Sequence, residues 1–567
     1  GMIICHGTLS SIMPLENASM PGRVVAQWDK EDCEDLGIVK VDLLGLGMMS
    51  VLQDAIALTH ERGHPVDLAK IPQDDEATYT MMQKADTIGV FQIESRAQIA
   101  TLPRMKPKCF YDVVIEVAII RPGPIHGHLM HPYLARRAGR EPVTYYDERV
   151  RPILERTLGV PLFQEQILKI AMVMADFSGA EAEELRRAMS FHRSPERMLK
   201  VEGKLRTALQ RNGVQPEIIE QIVKAIGSFA LYGFPESHAI SFAILAYGSA
   251  YLKRHYAPEF YASLLNNQPM GFYSPATLVK DAKRHGLRIR SVCAVRSDWR
   301  CTIDTDDSVR LGLCMVQGLH KANALRLLEA RGAHPFRDLE DLKRRTPLNK
   351  EELRTLAGIG ALNSLASHRR DALWEVEKEI REDDLFSRIS AAKTEPEDIS
   401  QRSQDLGSVE SKEPADNRIP TVQSTLPLQP MNAIERLQAD YAGTRLTIGP
   451  HPMELLRPQL PNVWRAADLV QARHGQIIQI AGNVICRQRP GTAKGFVFVS
   501  LEDETGVSNA IVAPKLFETL RLVITQEPFL IITGRLQNTD NVIVIQARLI
   551  EALNHGTLAG SASYDFH

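Results

Sequence analysis

Hydrophobic positions along this chain switch between three spacings. Residues 1–50 mix short strand-like runs, "RVVAQW" and "IVKVDLLGL", with polar breaks. From Val51 to about Met270 apolar residues recur at helical intervals, as in "SVLQDAIALTHERG", "EQILKIAMVMADFSG", "AEAEELRRAMS" and "PEIIEQIVKAIGSFALYGF". Gly and Pro punctuate these runs, so the segment predicts a series of helices. Residues 275–315 read as short strands and 316–382 as helices again. Residues 388–430 are polar and carry no aromatic side chain, a composition that cannot bury enough surface to order itself, and they predict a linker. After Val463 the period becomes two. The runs "QIIQIAGNVICRQ", "GFVFVSLEDETG", "SNAIVAP", "PFLIITGRLQ" and "NVIVIQARLIE" predict five short strands with a hairpin at Asp503–Gly506, as in a small OB-type barrel. The closing "GTLAGSASYDFH" reads as a loose tail. The fold class is α+β multidomain.

Within that pattern, "GIVKVDLLGLGMMS" (37–50) places Lys40 and Asp42 in an apolar run expected to be a buried strand. Two positions apart, both side chains fall on one face. The pair reads either as a structural ion pair at a strand end or as part of a phosphate- and metal-binding centre.

Bulk properties narrow the classes. The 567 residues suggest roughly four domains, and 44% hydrophobic residues permit sizeable cores. Sixty-seven basic against sixty-nine acidic residues leave a net charge of −2, so binding to a polyanion must come from local clusters. Seven scattered cysteines without a CxxC pair suit free thiols in a reducing cytoplasm and argue against a zinc ribbon. No apolar run is long enough to span a bilayer, and no secretory h-region opens the chain. The opening "GMIICHGTLSS" reads as strand interior, so a piece of a longer protein is expected.

Four further stretches carry candidate chemistry. In "VAIIRPGPIHGHLMHPYL", Arg121 precedes a rigid Pro–Gly–Pro loop, and its planar fork suits phosphate as readily as solvent. His126, His128 and His131 follow, but their spacing fits no dedicated metal site. "EELRRAMSFHRSPERM" stacks Arg186 and Arg187 where either a solvated helix face or an inward reach to polyphosphate is expected. Ser237 and His238 are adjacent, which is poor geometry for a nucleophile–base pair; Ser237 reads as an N-cap. "VQGLHKANALRLLEARG" and "LAGIGAL" are glycine-centred turns between short helices, which present backbone N–H groups to phosphate.

Taken in order, these blocks resemble the bacterial C-family DNA polymerases, the polymerase III alpha-subunit type. The resemblance rests on "LGIVKVDLLGLGMMSVLQDA", "TIGVFQIESRAQ", "RPGPIHG", "VPLFQEQILKIA", "LRRAM", "FPESHAISFAILAYGSAYLKRHYAPEFYASLLNNQPMGFY" and "GTAKGFVFVSLEDETG". "FQIESRAQIATLPRMKP", "NNQPMGFYSP", "RQRPGTAKGFVFVSLEDETG" and the "YDFH" terminus are most similar to its error-prone, damage-inducible branch, as a C-terminal portion.

The resemblance implies residues 1–50 as part of the palm, 51–272 as fingers, and 273–387 as a clamp/duplex-binding region with tandem helix-hairpin-helix motifs. It further implies a connector at 431–474 after the linker, an OB-fold at 475–555 and a tail at 556–567. Asp42 matches one of three metal-binding palm aspartates, which implies catalysis with two Mg²⁺, and Lys40 matches the lysine beside it. Arg121, Arg186, Arg187 and His238 fall in nucleotide-binding blocks. Gly318, Lys321, Gly358, Gly360, Arg487, Arg489 and Lys494 fall where the family holds DNA. "QSTLPL" resembles a clamp-binding peptide through Gln423, Leu426 and Leu428. The implied partners are primer-template DNA and dNTP, with a sliding clamp and mutagenesis accessory proteins. The family's other two catalytic aspartates belong to a D-x-D segment absent from this sequence. This chain alone is therefore expected not to polymerise, and a non-catalytic DNA- or clamp-binding module is the competing reading.

Overall fold

The computed structural model describes residues 2–18, 23–28, 32–33, 36–41, 43–120, 132–190, 195–232, 235–378, 428–489, 495–539, 542–556, 558, 560, 563 and 565. It falls into two units. The first comprises Gly1–Ile289, Ile303–Val309 and Ile448–His567, and the second Arg290–Thr302 and Arg310–Thr447.

The first unit begins with two separate two-stranded sheets. β1 (Met2–Ile4) pairs antiparallel with β4 (Val39–Val41), and β2 (Leu15–Asn17) pairs with β3 (Val24–Ala26). The strand expected to be buried is not. Val39 is 58% exposed, and Lys40 is exposed opposite Ile3 in the ladder. A two-stranded ladder has no second layer of its own to cover its apolar face.

Helices follow. The Glu236–His255 helix places Ala239, Ala243, Ala246, Gly248 and Ala250 inside and packs against the Phe110–Ile119 helix. Ser249 Oγ on the same helix accepts the Phe91 N–H at 3.1 Å. Its start differs from the sequence expectation. Ser237 is exposed one residue inside the helix, and Pro235 holds the N-cap position without a side-chain bond. The orphan N–H of Glu236 is satisfied from elsewhere, by Glu165 Oε2 at 2.8 Å. A second core forms where the Gln164–Ala175, Gly179–Ser190, Pro195–Arg211 and Pro216–Tyr232 helices meet, around Ile170, Met174, Leu185, Leu205 and Ile219.

One buried cation joins three of these elements. Lys253 Nζ donates to Asp86 Oδ1 at 3.0 Å, Asp281 Oδ2 at 2.9 Å and the Ile88 carbonyl at 3.0 Å. Tyr261 O–H also donates to Asp281, at 2.6 Å. His285 bonds Asp86 Oδ2 through Nε2 at 2.6 Å and the Asp281 carbonyl through Nδ1 at 2.7 Å. Both these partners are acceptors, so their bonds favour the protonated ring. The Asp86 hydrogen bond accordingly raises the His285 pKa, with burial opposing it. Burial pushes Asp86 upward, but His285 and Lys253 outweigh it and hold the carboxyl at about 2.

Three two-residue strands, β5 (Ile289–Arg290), β6 (Thr302–Ile303) and β7 (Val309–Arg310), mark the chain between 289 and 310. The C-terminal barrel is closed in the order β10-β12-β11-β8-β9, with β8 Ile477–Gln488, β9 Val497–Glu502, β10 Val507–Val512, β11 Phe529–Thr539 and β12 Val542–Ala552. Inward residues Ile480, Val499, Leu501, Val512, Ile532 and Ile545 fill it. The 503–506 turn joins β9 to β10, and two parallel pairs between β10 and β12 close the barrel in the OB-type pattern. Arg284 donates to Glu502 Oε1 at 2.8 Å, and Arg96 donates to the Ala510 carbonyl at 3.2 Å while lying 5.0 Å from the Phe498 ring centre. These two arginines fix the barrel against the helices.

In the second unit the helices are Lys321–Ala333, Leu339–Arg345, Lys350–Gly358, Arg369–Glu377 and Ala433–Thr444. Asn349 and Asn432 each form a capping box, with Glu352 and Glu435, so these starts follow from local sequence.

Replacing Lys253 by Met strands the buried Asp281 carboxylate and strips the half-buried Asp86 of its ammonium, and urea unfolding is expected to show a loss of about 3 kcal/mol. Unchanged stability would remove the ammonium from its keystone role. A second expectation concerns Glu116, which is fully buried with neither carboxyl oxygen hydrogen-bonded. Burial raises its pKa to about 8, against a smaller pull from Arg137. A proton kept in the folded state and released on unfolding makes stability fall as pH rises from about 4.5 to about 8, by at most about 1.4 kcal/mol per pH unit. Glu116→Gln should flatten the fall of the melting temperature over this window; an unaltered slope would refute the assignment.

Candidate nucleic-acid and nucleotide interface

Of the residues expected to contact nucleotide, Asp42, Arg121 and the histidines at 126, 128 and 131 lie outside the described residues. Lys40 is exposed on β4. Arg186 and Arg187 sit in the last turns of the Gly179–Ser190 helix and do not reach inward. Both are exposed and both donate to Glu183, Arg186 through two bonds of 2.8 Å and Arg187 at 3.2 Å. The spacing explains this, because Glu183 stands three and four residues before them on one helix face. The Arg186 and Arg187 bonds draw the Glu183 carboxyl down to about 2. An incoming phosphate would have to displace a carboxylate already in place.

His238 lies in the first turn of the 20-residue Glu236–His255 helix, with its ring edge-on to Phe242 at 4.2 Å between centres. With Pro235, Ser237 and Ser241 it lines a shallow, open depression of about 560 Å³. The depression opens at the helix N-terminus, where the Glu236 N–H is taken by Glu165 and the Ser241 hydroxyl donates to the Ser237 carbonyl at 2.9 Å. Nothing in the geometry couples Ser237 to a base, in line with the sequence reading.

In the first unit, the barrel's positive residues divide. Arg487 is committed to the structure: Nε donates to the Ile524 carbonyl at 2.5 Å, and a terminal nitrogen donates to the Glu527 carbonyl at 2.6 Å. Its remaining nitrogen meets Ser563 and Asp565. It ties the barrel's end together and does not project outward as the sequence suggested. Arg489 is exposed and stacks on Phe517, 4.6 Å from the ring centre, a flat cation–aromatic surface of the sort that bases stack upon. Lys494 lies outside the described residues.

The second unit carries the glycine turns. Gly318 has φ +76° and open space where a Cβ would stand, so its role is the left-handed turn itself. Three residues on, Lys321 opens the Lys321–Ala333 helix, exposed and 5.9 Å from the Trp299 ring centre. Gly358 closes the Lys350–Gly358 helix and is not in a turn, contrary to expectation. Gly360 has φ +79°, and any Cβ would stand 2.8 Å from Arg369 Nε. The turn position is Gly360 because only there does the chain leave the helix left-handed.

Sequence reasoning missed Glu352. It is buried and accepts from the His320 N–H at 3.0 Å, from Asn323 Nδ2 at 2.9 Å and from the Asn349 N–H at 2.9 Å. Burial raises its pKa, but these bonds, led by the His320 N–H, outweigh that and lower it. One carboxylate therefore clasps the turn after Gly318 to the start of the Lys350–Gly358 helix. The "NKEE" capping box was readable from the sequence; its second grip on His320 was not. Gln423 and Leu426 of the clamp-type peptide lie outside the described residues, and Leu428 is half-buried in an irregular segment.

Among the described residues, Asp86, Asp281 and His285 have the spacing of a metal site. The Lys253 ammonium already occupies the space between the two carboxylates.

Comparison with known proteins gives these surfaces a lineage. Residues 48–213 match the bacterial DNA polymerase III alpha subunit finger domain, residues 286–372 the helix-hairpin-helix motif, and residues 1–45 the bacterial DNA polymerase III alpha NTPase domain. An error-prone DNA polymerase of Alkalilimnicola ehrlichii is 45% identical over 541 residues, covering 94% of this chain and 50% of the relative. Error-prone DNA polymerase 2 of Rhizobium meliloti is 43% identical over 557 residues, covering 97% and 49%. The chain spans about half the length of the curated relatives it matches. Three family matches in chain order, joined to a helix-hairpin-helix unit and a closed OB-type barrel, show that the chain belongs to the bacterial C-family DNA polymerases, the polymerase III alpha-subunit type, alongside their error-prone members.

Proposed function

We propose that this chain is the fingers, duplex-binding and OB portion of an error-prone, damage-tolerant DNA polymerase, and that its own activity is to hold DNA. The carrying observation is the Gly318 turn, which Glu352 locks and which sets Lys321 and the helix N-terminus on one exposed surface. Backbone N–H groups at such a turn bind phosphate without reading sequence. The Arg489–Phe517 stack serves single-stranded template in the same way. The depression at Pro235, Ser237, His238 and Ser241 takes the incoming nucleotide's phosphates.

The described residues do not assemble a centre for Mg²⁺. Asp42 lies outside them, and the Asp86–Asp281–His285 cluster is filled by an ammonium. No step is assigned to a metal. The uncovered apolar surface of β1, β4 and Leu44, which is 63% exposed, supports a palm completed by further polypeptide. A sliding clamp and mutagenesis accessory proteins are the partners consistent with this reading, in a bacterial cytoplasm.

Two measurements test it. Template-dependent primer extension by this chain alone is expected to give no product, while fluorescence anisotropy shows salt-dependent binding to primer-template DNA. Robust extension would show that the chain is complete for synthesis, and no DNA binding would overturn both readings. Lys321→Ala should weaken duplex binding equally for all sequences and lower the salt slope by about one; an unchanged slope would place Lys321 away from phosphate.

A further inference from the structure

Two cysteines in the second unit are arranged as a reactive pair. Cys301 is 2% exposed, and Cys314 is partly open to solvent. They lie on facing segments. The Leu313 and Cys314 N–H groups donate to the Asp298 and Trp299 carbonyls at 2.8 Å each, and Gly312 N–H donates to Cys301 Sγ at 3.3 Å. Gly312 makes the approach possible, because a Cβ there would lie 2.3 Å from the Arg300 carbonyl carbon. The Cys301 and Cys314 side chains hydrogen-bond to each other. That bond lowers the Cys314 pKa, with Arg300 adding to the effect, and raises that of Cys301, which burial raises further. The other buried thiol of this unit, Cys293, is engaged by Ser364 Oγ at 3.3 Å.

We propose that Cys301 and Cys314 are an oxidation site for peroxide, with Cys314 attacked first and Cys301 resolving it. The Cys314 thiolate attacks one peroxide oxygen: an S–O bond forms, the O–O bond breaks, and the leaving hydroxide is protonated to water. Cys314 becomes a sulfenic acid, oxidised by two electrons as the peroxide is reduced. Cys301 sulfur then displaces the hydroxyl, giving up its proton; the S–S bond forms and a second water leaves. A partly open thiol hydrogen-bonded to a buried partner is the arrangement this chemistry requires. The site also has a mechanical address. Trp299, whose carbonyl holds Cys314, is the ring beside Lys321. Closing the disulfide shifts that ring's backbone and weakens the duplex surface, an effect that rests on the proposed DNA binding; the disulfide itself does not.

The test treats the whole chain with hydrogen peroxide and maps its peptides without reduction. Wild type is expected to lose two hydrogen masses in a Cys301–Cys314 crosslink that dithiothreitol reverses. Cys301→Ser should leave Cys314 as a sulfenic acid trapped by dimedone, and Cys314→Ser should give neither product. A wild-type chain retaining both thiols, or crosslinked through other cysteines, overturns the proposal. Duplex affinity that falls on oxidation in wild type and not in Cys314→Ser supports the link to DNA. Unchanged affinity with the crosslink formed overturns that link alone, and a reduced chain without DNA binding overturns the proposed function alone.

Discussion

The first unit depends on a lysine placed where water cannot reach it. An ammonium in the interior costs several kcal/mol of desolvation unless every N–H has a partner. Lys253 meets that condition with two carboxylates and a carbonyl. The consequence is geometric: the Asp86 loop, the Glu236–His255 helix and the Pro275–Arg284 helix cannot shift independently without uncovering a charge. The long helix and the barrel-docking Arg284 thus share a single ion cluster. A cluster that looks like a metal site is the opposite, a site whose cation is covalently part of the chain.

The second unit solves the same problem with an anion. Glu352 is buried and gains its bonds from backbone N–H groups and an amide, which favour the ionised form. Because the bonded groups belong to the turn after Gly318 and to the start of the Lys350–Gly358 helix, that turn is held without a large core. The thiol pair lies one residue from the same surface, through Trp299. The proposed thiol chemistry and the proposed DNA surface therefore share a backbone.

Much was legible beforehand. The barrel strands alternate cleanly, and the 503–506 hairpin falls where turn residues placed it. The capping boxes at Asn349 and Asn432 announce their helices. The misreadings share one cause, which is that a residue's type does not reveal its partner. Ser237 has an N-cap side chain, yet Glu165, distant in sequence, satisfies the helix start instead. Arg487 has a DNA-binding side chain, yet carbonyls at the barrel's end consume it. Arg186 and Arg187 follow the other reading their spacing allowed, a solvated helix face, where both pair with Glu183.

By itself the sequence determined the kinds of element, their order and the family, because periodicity, caps and glycine turns are local and ordered motif blocks survive in the linear text. Tertiary structure alone decided which charges are spent and which remain available. Lys253 and Glu352 are ordinary surface letters until the fold removes water from them and supplies partners from far along the chain. Lys40 shows the reverse: its apolar neighbours predicted burial, and its two-stranded ladder has no second layer to provide it. Burial is a property of what packs opposite, and no residue carries that information in its own identity.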